Sequence, residues 1–189
     1  RCHGAGVPSA VNLALPRERL CATCHEVSRV RTAGDRVHPP AAKGECMTCH
    51  SPHGSDRDGL LVQRPEQLCA RCHAGVVADS RRSHGHPPVA KGECISCHEP
   101  HRSTGPALLR KKPGELCADC HKPMMDAIAA GDAHPPAGSG LCLTCHDSHG
   151  SANPGMTRRA GGALCLSCHT ATRPALVAKH PGMDLAKVN

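Results

Sequence analysis

Cysteine and histidine recur along this chain in one short pattern, Cys-x-x-Cys-His. The pattern begins seven times, at Cys21, Cys46, Cys69, Cys94, Cys117, Cys142 and Cys165. Its second cysteines are Cys24, Cys49, Cys72, Cys97, Cys120, Cys145 and Cys168, and its histidines are His25, His50, His73, His98, His121, His146 and His169. Thiolates and imidazoles are nucleophiles and metal ligands, so their spacing decides which chemistry is open to this chain.

The spacing within each motif fits covalent attachment of haem. Residues i, i+3 and i+4 share one face of a helical turn, so both thiols and the imidazole point the same way. The thiols can then form thioethers with the porphyrin vinyl groups while the histidine binds the iron, and Cys-x-x-Cys-His is the signature of that attachment. The sequence therefore predicts haem c at all seven complete motifs.

Three other uses of paired cysteines explain the pattern less well. Structural zinc sites combine two Cys-x-x-Cys units into one four-ligand set, which leaves the adjacent histidine without a role. A thioredoxin-like redox pair needs a βαβ context that is missing from this sequence. Disulfides in a secreted domain require no histidine after every second cysteine.

Seven further histidines stand at repeating positions in the linkers between the motifs. Four precede proline, and they are His38, His86, His134 and His180. Three follow a motif histidine by three residues, and they are His53, His101 and His149. Because linker histidines match complete motifs one for one, we predict that each iron binds a second imidazole. Proline keeps the residue before it in extended backbone, which limits how far the first group of ligands can move.

The short distance between His50 and His53 along the chain affects how these ligands are shared. His53 is too close to reach the opposite face of the haem that His50 binds. We therefore expect His53, and likewise His101 and His149, to ligate neighbouring haems. Which linker histidine serves which iron stays open, and His84 is either a surface residue or a distal ligand for an extra haem.

The motifs define a repeat of the whole chain. Spacings between first cysteines alternate between 25 and 23 residues, so the true period is 48 residues with two motifs. We predict one continuous haem-packed domain with five segments. They are the end of a truncated haem unit at 1–20, two-haem repeats at 21–68, 69–116 and 117–164, and a one-haem half-repeat at 165–189. Cys2 and His3 match the tail of an eighth motif and are candidates for an eighth haem.

The composition excludes an ordinary side-chain core. The 189 residues include no Phe, Tyr or Trp and only 28 Leu, Ile and Val, too few to offset the entropy of ordering the chain. Yet the 15 Cys and 16 His are unlike a disordered tail. We therefore expect the haems to form the core of a mostly irregular chain with short α-helices, since 19 Gly and 17 Pro disfavour long elements.

The repeat resembles the multihaem cytochromes c with doubled CXXCH motifs, over residues 21–180. The segments that carry the resemblance are His-Pro-Pro, Gly-Glu-Cys-x-x-Cys-His-x-Pro-His (44–53 and 92–101) and Leu-Leu (60–61 and 108–109). The third repeat departs from them at Leu141, Ser148 and Met156-Thr157. The resemblance implies closely stacked haems and a periplasmic or extracellular electron carrier, and some multihaem relatives polymerise into conductive filaments.

Three functional classes remain to be compared, and the third of them is a structural module that holds haems for a catalytic partner. The first is electron conduction, with other redox proteins, copies of this chain or an extracellular acceptor as partners. The second is a reductase of nitrogen or sulfur oxyanions, which needs an iron with an open position. We expect no enzyme activity, because every complete motif has a matching linker histidine. The net charge of +7 does not indicate a nucleic-acid partner, because the chain has no aromatic residues that could stack on bases. No apolar run is long enough to span a bilayer. Because haem is attached outside the cytoplasm, we expect export.

Haem counting tests these expectations directly. The purified chain is expected to carry about seven covalent haems by pyridine haemochrome analysis. Chain produced without haem attachment is expected to show the circular dichroism of an unfolded protein, because no side-chain core replaces the porphyrins. A folded haem-free chain would contradict the second expectation, and a count well below seven would contradict the first.

Overall fold

Short helices and turns make up most of this computed structural model, which describes residues 2–4, 12–25, 34–131, 133–170, 174–179 and 181–182. The α-helices in these ranges are α1 Arg17–Leu20, α2 Pro39–Ala42, α3 Pro65–Ala70, α4 Ala74–Asp79, α5 Pro87–Ala90, α6 Pro113–Ala130, α7 Pro135–Gly138, α8 Gly161–Cys165 and α9 Pro174–Lys179. The strands are β1 Arg36–Val37, β2 His84–Gly85, β3 Arg102–Ser103 and β4 Gly150–Ser151. The predicted irregular chain with short helices is confirmed.

Short 3-10 helices complete the repeat. One set covers the cysteine pairs, at Cys21–Thr23, Cys46–Thr48, Cys94–Ser96 and Cys142–Thr144. A second set follows the linker histidines of the His53 type, at Asp58–Leu60, Pro106–Leu108 and Pro154–Met156. Each set recurs at the 48-residue period of the sequence, apart from Cys21–Thr23, which belongs to the other motif of the pair.

Proline starts many of the helices. It occupies the first turn of α2, α3, α5 and α7, where its missing N–H costs nothing. The residues before it are extended, as at His38 with φ −60° and ψ 130° and at His86 with φ −74° and ψ 123°. The expected extended backbone of these two histidines is therefore confirmed, and His180 lies outside the described residues.

The longest helix is interrupted at a motif histidine. His121 has φ −103° and ψ 32°, which divides α6 into two helical segments. His73 has nearly the same backbone, φ −109° and ψ 39°, and there α3 and α4 are separate helices. Pro123 lacks the N–H that a continuous helix would use, so the second segment starts afresh. The chain therefore turns at both histidines in the same way.

The chain divides into two compact units, one of residues 1–71 with 93–112 and the other of 72–92 with 113–189. In the first unit, β1 pairs with β3 in antiparallel register, with Arg36 opposite Ser103. In the second unit, β2 pairs with β4, with His84 opposite Ser151. The boundaries predicted from the repeat stay a prediction.

Each strand pair joins the backbones of two linker histidines. The His38 N–H donates to the carbonyl of His101 at 2.9 Å in the first unit. The His86 N–H donates to the carbonyl of His149 at 3.4 Å in the second. Ligand candidates from two different repeats are thus held side by side by main-chain hydrogen bonds.

Apolar side chains do not form the interior of the described ranges. None of their hydrophobic residues is buried, and the buried polar residues are Ser80 and Ser151, at 7% and 6% exposure. Larger apolar side chains stay accessible, with Leu141 56% and Ile95 49% exposed. No helix among these residues is long and apolar enough to cross a membrane. The composition thus correctly excluded an ordinary side-chain core.

A strained turn recurs in the second set of 3-10 helices. Its two central residues are left-handed in every repeat: Gly59 and Leu60 (φ 67° and 56°), Ala107 and Leu108 (49° and 60°), and Gly155 and Met156 (63° and 55°). Leu, Ala and Met place Cβ close to the following carbonyl in this conformation, at a cost of about 1–2 kcal/mol per residue. Only the second repeat has alanine where the others have glycine.

Replacing Ala107 by glycine is expected to stabilise the folded protein. The change relieves about 1–2 kcal/mol of strain and costs about 0.5–1 kcal/mol of backbone entropy, for a net gain of about 0.5–1 kcal/mol. Thermal unfolding of the haem-loaded protein measures it. The control is Ala127→Gly on an exposed turn of α6, which should destabilise by about 1 kcal/mol. Equal losses in both variants would show that Ala107 is not strained.

Candidate haem-attachment sites

The second motif of each pair is a tight turn closed by main-chain hydrogen bonds. In the first repeat, the N–H groups of Cys49 and His50 both donate to the carbonyl of Cys46, at 3.2 and 2.9 Å. The corresponding distances are 3.3 and 3.1 Å at Cys94 and 3.2 and 3.0 Å at Cys142. This turn keeps the two thiols and the imidazole of one motif together on a single short segment.

The imidazole of this motif is oriented by a main-chain carbonyl. Nδ1 of His50 lies 2.6 Å from the carbonyl oxygen of Gly59, and the distances are 2.9 Å for His98 to Ala107 and 2.8 Å for His146 to Gly155. A carbonyl only accepts, so Nδ1 carries the proton and donates, which leaves Nε2 as the metal-binding nitrogen. The sequence analysis missed these carbonyls, although glycine at 59 and 155 was a signal for the turn that presents them.

A serine holds the strained turn in place. Ser55 Oγ donates to the carbonyl of Leu61 at 2.6 Å, and Ser151 Oγ donates to that of Thr157 at 2.9 Å. Ser103 Oγ makes the same bond to Leu109. The turn, its carbonyl and the motif histidine therefore form one hydrogen-bonded unit in each repeat.

Motif histidines face linker histidines across a constant separation. The ring centroids are 5.9 Å apart for His3 and His53, 5.8 Å for His50 and His101, 6.2 Å for His86 and His121, and 6.0 Å for His134 and His169. The first three pairs are nearly parallel, at 22–25°, and the last is tilted by 54°. Two metal–nitrogen bonds of about 2 Å on opposite sides of one ion put the ring centroids about 6 Å apart.

Two motif histidines, His25 and His146, differ from these pairs. Nδ1 of His146 faces the carbonyl of Gly155, and His25 follows the turn Cys21–Thr23. Among the described residues, no ring contact joins His25 or His146 to a second imidazole. The leftover His84 lies in β2 opposite Ser151.

Consecutive motifs bring their first cysteines together. Burial, and then the neighbouring Cys46 thiol, raise the pKa of Cys21. The same two causes, with Cys94 as the neighbour, raise the pKa of Cys69 to about 11. The thiols of motifs 25 residues apart are therefore in contact in both cases.

None of the fifteen cysteines is paired in a disulfide. Among the described residues no three His, Cys, Asp or Glu side chains gather as a structural zinc site requires. Burial, followed by the charge of nearby His50, lowers the pKa of His101, which favours the neutral imidazole that binds metals. Available thiols, neutral imidazoles and paired rings all fit covalent haem.

Comparison of the sequence with known protein families identifies a matching family. The model of the family described as "Doubled CXXCH motif" matches residues 38–78, 86–126 and 134–174, well over half of the chain. The chain belongs to the doubled CXXCH motif family. It is a multihaem c-type cytochrome, and the predicted family and its haem c are confirmed. Among curated proteins there is no significant match.

Basic residues of this cytochrome support the motifs in a way the sequence did not reveal. Nη1 of Arg110 and of Arg158 donates to the carbonyl of the residue after the first motif cysteine, Ile95 and Leu143, at 3.1 Å in both cases. Arg102 differs, because its Nη1 is buried without a hydrogen-bond partner and lies 3.9 Å from Asp35. A guanidinium of this kind suits the carboxylate of a haem propionate.

Removing the serine from the third turn is expected to loosen the support of His146. Ser151 is buried, and Ser151→Ala leaves the carbonyl of Thr157 and the N–H of Asn153 with one partner fewer, at a cost of about 1–3 kcal/mol. Faster amide hydrogen exchange over residues 150–158 is the expected result. Exposed Ser148→Ala is the control, and equal exchange in both variants would show that Ser151 does not hold the turn.

Proposed function

We propose that this cytochrome conducts electrons along a series of bis-histidine haems. When bound, haem c supplies an iron that alternates between the ferric and ferrous states and so carries one electron. The observation that supports the proposal is the pairing of motif and linker histidines at about 6 Å in both compact units. Two facing imidazoles at this separation would bind one iron from both sides, which would favour electron transfer over substrate binding.

The cysteines and the histidines have different roles in holding the haem. Thioethers from both motif cysteines fix the position of the porphyrin, so its orientation does not depend on a side-chain core. The motif histidine binds from the same turn, with Nε2 directed by the carbonyl bond where this is present. The linker histidine then excludes water and small anions from the second position. We therefore assign the chain no enzymatic reaction.

The number of haems is part of the proposal. Seven complete motifs give seven attachment sites, and Cys2 with His3 would hold an eighth. The ring of His53 lies 5.9 Å from that of His3, so the incomplete motif has its second imidazole within the first unit. This contact supports the expectation that His53 serves a haem other than the one bound by His50.

The cellular setting follows from the attachment chemistry. Haem is joined to Cys-x-x-Cys-His motifs outside the cytoplasm, so we place the protein in the periplasm or the extracellular space. Its partners would be other redox proteins or an extracellular acceptor. Copies of this chain are a further partner, in which case it would act as a subunit of a cytochrome filament. Nucleic acid is not among the proposed partners.

Removing one linker histidine tests bis-histidine ligation. In His101→Ala the iron bound by His50 loses its second imidazole, so one haem per chain should change from low spin to high spin. Electron paramagnetic resonance measures the spin state, and the reduced variant should bind one carbon monoxide per chain.

The matched control is His84→Ala, which removes an imidazole from β2 that makes no ring contact with a motif histidine among the described residues. It should keep every haem low-spin. A His101→Ala protein that stays fully low-spin would contradict the proposed ligand pair. A wild-type protein with a high-spin haem that binds nitrite would favour the reductase alternative instead.

A further inference from the structure

We infer that Gly44 and Gly140 are positioning residues that set how closely the haems of two consecutive motifs approach each other. Each glycine precedes the first cysteine of a second motif by two residues. Gly44 lies against α1, which ends just before the preceding motif, and Gly140 lies against α6, which contains it. The inference rests on the proposed function, because closeness matters only if electrons pass between these haems. It concerns the spacing of the haems and not their ligands.

Gly44 is in direct main-chain contact with α1. A Cβ added to Gly44 would lie 2.6 Å from the carbonyl oxygen and 2.8 Å from the Cα of Glu18. These atoms belong to the backbone, so no side-chain rotation can relieve the overlap. Because Glu18 comes three residues before Cys21, a residue larger than glycine at 44 must move one motif away from the other.

Gly140 makes the same kind of contact in the second unit, at a longer distance. A Cβ there would lie 3.3 Å from the Cα of Gly114 in α6. Gly114 comes three residues before Cys117, just as Glu18 does before Cys21. The same approach of backbones therefore occurs in two separate parts of the chain, with a tighter fit at Gly44.

The contact determines which atoms of the two motifs meet. The Cys46 thiol is close enough to Cys21 to raise its pKa, so the sulfurs that would attach the two porphyrins are neighbours. The thioether edges of the two haems would accordingly face each other. Electron transfer falls steeply with distance, so a shift of the Gly44 backbone should weaken the coupling of this pair.

Gly44 and Gly140 also have a left-handed backbone, and the effect of this conformation must be distinguished from the effect of the close approach. The φ angles are 73° and 69°, so a substitution is strained even without a neighbour. Gly34 and Gly182 provide controls outside the haem-binding turns, because their φ angles are 94° and 77° and an added Cβ would have no other atom within 4 Å.

The experiment compares four single variants of the full haem-loaded chain: Gly44→Ala, Gly140→Ala, Gly34→Ala and Gly182→Ala. Pyridine haemochrome analysis gives the number of haems. The exciton couplet in the Soret circular dichroism and the spin–spin interaction in electron paramagnetic resonance report the coupling between neighbouring haems. We expect an unchanged haem count in all four. The couplet should lose most amplitude in Gly44→Ala, less in Gly140→Ala and none in the two controls.

Other outcomes overturn the inference. An unchanged couplet in fully loaded Gly44→Ala and Gly140→Ala would show that the glycines do not set the spacing. Equal losses in the controls would assign the effect to backbone strain. If Gly44→Ala loses haem, the couplet amplitude of the milder variant Gly140→Ala tests the inference instead. A wild-type chain without covalent haem would instead refute the proposed function.

Discussion

The separation of about 6 Å between a motif imidazole and a linker imidazole is the constraint on which the other features depend. It must be met by residues far apart in the sequence, as with His50 and His101 or His86 and His121. The part of the chain that the structure describes buries no apolar side chain, so it has no side-chain core to impose such distances. Main-chain devices impose them instead, namely extended residues before proline, two-residue strand pairs and turns closed on a cysteine carbonyl.

These main-chain features involve few residues because covalent bonds would hold each haem in place. Two thioethers and one iron–nitrogen bond per motif would fix the porphyrin relative to a turn of only five residues. The protein then needs to order only the linker histidine. Binding energy of this kind counts as folding energy, since the unfolded chain offers no preformed site. Short helices such as α2 and α5, which would be unstable alone, are sufficient under that condition.

Local features could be predicted from the sequence because they depend on neighbouring residues. Pro65 and Pro113 indicated the helices that carry Cys69 and Cys117, and proline after His38 indicated its extended backbone. Pairing across repeats could not be predicted in detail. The sequence excluded His53 as a ligand for the haem of His50, but the contact of His53 with His3 depends on the path of the chain between them.

The turn at 106–108 shows why some site features leave no sequence signal. Glycine at 59 and 155 marks a left-handed residue, whereas Ala107 adopts the same conformation without any such mark. Its carbonyl faces Nδ1 of His98, and the repeat keeps that bond at 2.9 Å although alanine makes the turn more strained. The turn is therefore explained by the hydrogen bond that its carbonyl accepts from the histidine, and not by the residue type that forms it. Strain retained at one position of a repeat is an indication of function that only the three-dimensional structure provides.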